Sequence, residues 1–220
     1  MSIPQPKIKG HSIVLIGNFN PKIFQPSWFG SQGLLQKQEA EEAEVEIIHS
    51  DVAIFRLEWL RMEVTRERFL VETLQEAYDL TLRDLVLGTF SLLRFTPIKK
   101  MGINRDTHFQ VDSEEKWHSV GNKLAPKDLW QEILERPGMI SLTMEGNQKR
   151  DGLEGFIRVK IEPSARIPMG VFFSVNDHFE FKETDASVGS DTVISILREY
   201  WEKSYKRSER IIYSLLEKLL

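Results

Sequence analysis

The sequence predicts an α+β fold: two tandem βαβββα units forming a mainly antiparallel sheet, with helices packed on one face and a long C-terminal helix. Three observations carry this. Segments such as Leu153–Glu162 and Met169–Phe181 alternate apolar and polar residues with the period of a half-buried strand. Two other stretches, Thr73–Arg94 and Asp191–Leu220, instead repeat their apolar residues every three or four positions, as amphipathic helices do. The order strand, short helix, strands, long helix also runs twice along the chain.

Composition bounds the rest. The 220 residues are 41% hydrophobic and 28% charged, enough for a packed core in a globular protein. With no cysteine there are no disulfides, thiolate nucleophiles or thiolate metal sites, which fits a cytoplasmic protein. A formal net charge of −4 argues against a generally basic nucleic-acid binder. The apolar run Ile13–Ile16 is too short for a signal peptide or a membrane span, so no membrane role is expected.

In order, residues 1–10 carry two prolines and a glycine and read as a flexible arm, before a first unit over 11–96 and a second over 97–220, fused into one domain. Ser12–Asn20 is a buried strand. Pro26 starts a short helix with Trp28 and Phe29, since proline is tolerated where the amide has no partner. The charged run 37–44 is a solvated loop or helix end. Val45–Ile48 and Ala53–Trp59 are strands joined by a turn at His49-Ser50-Asp51. Apolar parity flips at Trp59-Leu60, which demands a break before the next strand. Phe69-Leu70-Val71 begins the return strand. Thr73 and Glu76 have capping-box spacing and open a helix to about Arg94, which Pro97 terminates.

The second unit starts with a strand over Lys99–Val111. Asp112–Glu115 opens a short helix stopped at Gly121-Asn122, and Pro126 opens another bearing Leu129, Trp130, Ile133 and Leu134. Met139–Glu145 and Leu153–Glu162 form a hairpin around the turn-rich residues 146–152. Met169–Phe181 is the last strand, and one unbroken helix runs from Asp191 to the end.

The paired landmarks Gly17 and Gly102, and Trp28 and Trp117, fall at matching places in the two halves. This element order resembles the tandem saddle of the TATA-binding-protein-like fold, which implies one curved sheet with an open face. The stretch Thr96-Pro97-Ile98-Lys99-Lys100-Met101-Gly102-Ile103-Asn104, a strand entered from a helix, resembles a sporadically distributed family of uncharacterised bacterial proteins. That resemblance implies a bacterial source and no activity.

No catalytic motif is present: there is no phosphate loop, dinucleotide fingerprint, zinc-protease helix or nucleophile elbow. No catalytic residue and no cofactor is assigned. Asn104, Asp106 and His108 share the polar face of one strand, and Asn176, His178 and Glu180 that of another. Were the strands neighbours, Asp106, His108, His178 and Glu180 supply imidazoles and carboxylates suited to zinc or manganese. Phe156 and Phe172 sit on polar parity beside Arg158 and Lys160, a pattern that suits base stacking and that packing against another subunit also explains. Arg105 interrupts an apolar face, so it is either a structural tie to a carboxylate or an anion site. The last helix places Ile211, Ile212, Leu215, Leu216 and Leu219 on a stripe longer than one small sheet covers, so it is expected to pack on another chain or on the other half of the same chain. The expected function is therefore a non-enzymatic binding or assembly protein, acting with a protein partner or as a homodimer. The alternatives are a nucleic-acid-binding or sensor component on the open sheet face, which is less favoured, and a metal-dependent enzyme.

Overall fold

A computed structural model describes residues 4–147, 153–181 and 190–220. The expected hairpin tip 146–152 lies mostly outside the described residues. Nine strands form one sheet, antiparallel at every pairing: β1 (Pro6–Gly17), β2 (Glu44–Ile48), β3 (Val52–Arg56), β4 (Arg61–Thr65), β5 (Arg68–Thr73), β6 (Ile98–Gln110), β7 (Leu142–Gly146), β8 (Glu154–Pro163) and β9 (Gly170–Glu180). Their order across the sheet is β2-β3-β4-β5-β1-β6-β9-β8-β7. Among the described residues the α-helices are α1 (Pro26–Ser31), α2 (Lys37–Glu41), α3 (Asp79–Leu92), α4 (Glu114–Leu124), α5 (Asp191–Glu199) and α6 (Trp201–Leu219).

The two longest strands, β1 and β6, lie side by side at the centre. Their register runs from Lys9 opposite Thr107 to Ile16 opposite Lys100. Outward from this seam the order is β5, β4, β3, β2 on one side and β9, β8, β7 on the other. The first half thus carries after its helices the four strands its residues outline, one more than a βαβββα unit holds. β1 also takes up half of the expected arm, because Ile8–Gly10 pair with β6.

One sheet face is apolar and carries the helices. Ile13, Leu15, Met62, Val71, Met101, Ile103 and Phe179 join Leu82, Val86 and Phe90 of α3 and Val193 and Leu197 of α5 in a first core. Phe109, Val171, Phe173, Ile157 and Ile161 join Val120 of α4 and Ile212, Leu216 and Leu219 of α6 in a second. The parity flip at Trp59-Leu60 is a tight turn, closed by the Leu57 N–H donating to the Leu60 carbonyl at 2.8 Å. His49-Ser50-Asp51 likewise forms the β2–β3 turn, with the His49 N–H on the Val52 carbonyl at 2.7 Å.

α4 runs past the expected stop at Gly121-Asn122 to Leu124, and three other helix boundaries differ from the sequence reading for a tertiary reason. Thr73 does not cap α3, because it stays in β5 opposite His11, and the helix begins at Asp79 after a single 3₁₀ turn over Glu76–Tyr78. The last helix is broken at Tyr200 without any proline or glycine. There Tyr200 packs edge-on against Phe179 of β9 at 6.3 Å, while the next residue, Trp201, donates its indole N–H to Asp79 at 3.1 Å. The segment from Pro126 forms only a 3₁₀ turn over Lys127–Leu129. A short amphipathic helix needs a surface on which to bury its stripe, and no element covers this one: Leu129, Trp130, Ile133 and Leu134 are all exposed.

Candidate functional site

The side chains with chemistry fall in three places: the open sheet face, a buried polar belt between the two cores, and an apolar platform beside β7.

On the open face, β6 and β9 are neighbours, with Asn104 opposite Asn176. A ladder of amides crosses the centre: Asn176 Nδ2 donates to Asn104 Oδ1 at 2.6 Å, and Asn104 Nδ2 donates to Ser12 Oγ at 3.0 Å. Gly102 lies beside it, and a Cβ there would lie 2.8 Å from Asn176 Nδ2, so that amide would have to shift. The four residues expected to share a metal are not brought together. His108 stands opposite Phe172, whereas His178 stands opposite Gly102, six residues along β6. At 3.3–3.4 Å per residue that is about 20 Å. Among the described residues no group of three or more histidines and carboxylates is placed to hold a metal ion.

Each half of that set is used locally. His178 stacks on Phe156 at 4.3 Å, with its Nε2 3.4 Å from Glu180, whose other neighbour is Lys100 at 3.0 Å. Burial holds the His178 imidazole below its ordinary pKa. His108 packs on Phe172 at 4.6 Å, and its Nδ1 lies 2.8 Å from Ser164 Oγ. That oxygen already accepts the N–H groups of Arg166 and Ile167, so its own proton points at Nδ1. The bond requires neutral His108. Burial first, and the Arg166 charge second, keep this imidazole's pKa below the usual value. Asp106, by contrast, is pushed up by burial, against the hydrogen bond from Ser174.

The aromatic and basic residues of this face do not form a free cationic stripe. Arg158 lies 4.8 Å over the Phe156 ring and pairs with Glu145 at 2.7 Å; Lys160 pairs with Glu162 at 2.7 Å. Arg61 and Arg68 both reach Glu63, at 2.9 and 3.0 Å. A phosphate backbone would have to displace these carboxylates.

The buried belt centres on Arg105, which is 3% exposed and projects from β6 into the helical face. Its guanidinium pairs with Asp79, the first residue of α3, contacts His11 of β1, and lies over the Trp201 ring, 4.0 Å from its centroid. Asp79 also faces His11 Nδ1 at 2.9 Å. Burial acts to raise the Asp79 carboxyl, but the hydrogen bond from His11 and the charges of Arg105 and His11 outweigh it and hold the group low. Burial alone lowers the Arg105 guanidinium. Beside this group Lys9 of β1 bridges Glu76 at 2.6 Å and Glu209 of α6 at 3.6 Å. A second buried pair, Asp177 of β9 with Arg207 of α6, continues the belt. His11 and Asp177 were missed by the sequence reading. The signal was available: each shares parity with core residues, His11 with Ile13 and Leu15, and Asp177 with Val175 and Phe179.

The α6 stripe is covered by its own chain. Ile212, Leu216 and Leu219 are buried against Phe109, Val171 and Phe173, and Ile211 and Leu215 pack at the margin of that core. The stripe lies against β6, β8 and β9, so it requires no second chain. Lys123 of α4 fixes the helix end by donating to the Leu219 carbonyl at 2.9 Å, where the helix dipole favours a cation.

The surface left apolar lies elsewhere. Ile140 is 86% exposed, Leu129 79% and Ile133 75%, and Met144 of β7 is exposed as well. Ala125, Trp130, Leu134, Pro137, Met139 and Ile140 line a cleft of ≈ 280 Å³. Among the described residues no helix is long and apolar enough to cross a membrane. Compared with known proteins, the chain matches no family model and no curated protein.

Proposed function

We propose that this chain is a non-enzymatic binding and assembly protein that engages a protein partner through the second half of its sheet. One observation carries the reading: the exposed apolar residues Leu129, Trp130, Ile133, Leu134 and Ile140 fall in one short segment between α4 and β7, and that segment leads into an edge strand. Isolated exposed leucines are ordinary, whereas a contiguous apolar patch on an otherwise charged surface marks an interaction site. The functional surface moves from α6, whose stripe is buried within the chain, to this platform. The outward strand order from the β1–β6 seam also supports reading the two halves as tandem units.

The test is native mass spectrometry of the protein isolated from its own cells, as wild type and as the double variant Ile133→Asp/Ile140→Asp. Both positions are exposed, so circular dichroism should be unchanged. The wild type is expected to carry a stoichiometric protein partner, self or other, that the variant has lost. A bare monomer in the wild type, or a complex indifferent to the substitutions, overturns the reading.

A further inference from the structure

We infer that the occupant of this surface is a second copy of the chain, joined through antiparallel pairing of β7 with β7 of the other copy. This rests on the binding reading above and narrows it to one partner and one register.

The first observation is an asymmetry in the sheet. Pairing strands outward from the seam matches β5 with β9, β4 with β8 and β3 with β7, and leaves β2 without a counterpart. Among the described residues, the place that β2 fills beside β3 is open beside β7. In the chain, the stretch between α4 and β7 contains no strand among its residues 125–141. The outer backbone groups of β7 are therefore a template for one more strand.

The second observation distinguishes the two edges. β2 is guarded: a register shift between Val45 and Ile47 interrupts its ladder, and Glu44 and Glu46 stand along it. Pairing β2 with itself about its central residue would set Glu46 against Glu46. β7 has neither defence. Its ladder with β8 is continuous from Leu142 opposite Ile161 to Gly146 opposite Ile157. Its five residues, Leu-Thr-Met-Glu-Gly, include one charge, and that residue, Glu145, is already paired with Arg158.

The third observation is self-complementarity. A two-fold axis through Met144 sets Met144 against Met144 on the helical side and Thr143 against Glu145 on the open side. No like charges face each other, and Leu142 of each copy lies opposite Gly146 of the other, on the helical side. A closed two-fold contact of this kind uses the same patch twice and leaves no edge for further growth.

The experiment is light scattering with native mass spectrometry on the full chain across a dilution series. Wild type should sediment at twice its 25.6 kDa chain mass. Met144→Lys and Met144→Glu, made at an exposed position, should each give a folded monomer, because like charges would then face across the axis. Mixing the two variants should restore a dimer containing one of each. A wild-type monomer at every concentration, or a dimer that survives both single substitutions, overturns the pairing. If the wild type is monomeric alone but its cellular complex holds a different protein lost on Ile133→Asp/Ile140→Asp, self-pairing fails while the binding reading stands. If neither species forms, both fail.

Discussion

Arg105 of the central strand and Asp79 at the start of α3 form an ion pair inside the protein, between the two hydrophobic cores. Asp79 takes its other donors from β1 through His11 and from α6 through Trp201, so one carboxylate joins both central strands to two helices.

Removing one partner of this pair should be costly. Arg105→Ala leaves a largely buried carboxylate without its cation and strips the cover from Trp201, and a loss of about 3–5 kcal/mol is expected. Urea unfolding of Arg105→Ala, Asp79→Leu and the double variant Arg105→Met/Asp79→Leu measures it. The double variant should recover a large part of the loss, because it strands no charge. A loss in the double variant equal to the sum of the two single losses would show that the pair is not coupled.

Stability should fall on mild acidification through His108. Its folded pKa is lowered, so the unfolded chain binds the proton first as pH drops below about 6.5. Stability is then complete above that value and declines from there down to the folded pKa. His178 works in the same direction. Thermal unfolding between pH 8 and 5 should show the decline, and His108→Gln should flatten part of it. An unchanged slope would mean that the Ser164 hydrogen bond survives protonation.

Leu216→Ala opens a hole against Phe109 and Phe173 and should cost about 2–5 kcal/mol. It should do so without changing the oligomeric state, because Leu216 faces its own sheet. Deleting 209–220 should expose that core and yield an unfolded or aggregated second half. A stable, soluble truncated chain would contradict the packing.

Gly102→Ala should cost about 1–3 kcal/mol by overpacking, because the new Cβ meets Asn176 Nδ2 at 2.8 Å. Adding Asn176→Ser should relieve most of it, and a double-mutant cycle gives the coupling. Additive effects would rule out the clash.

The open face shows where sequence legibility stops. Shared parity correctly placed Asn104, Asp106, His108, Asn176 and His178 on one side of the sheet, and β6 and β9 are indeed neighbours. Parity does not give register. Only the antiparallel offset separates His108 from His178, and that offset comes from contacts the two strands make with β1, β8 and the helices.

What the chain determined alone was local. Period-two alternation set the strands, and period-3.6 stripes set most of the helices. Prolines, glycines and the parity flip at Trp59-Leu60 set the breaks. The odd charge on an apolar face announced Arg105, because a guanidinium cannot be buried without a partner. What needed the tertiary structure was everything fixed by distant residues. The identity of that partner, the break of the last helix at Tyr200, the failure of a helix after Pro126 and the burial of the α6 stripe are of this kind. Each depends on which surface is near enough to bury a side chain, and that is decided by packing across tens of residues rather than by any local pattern.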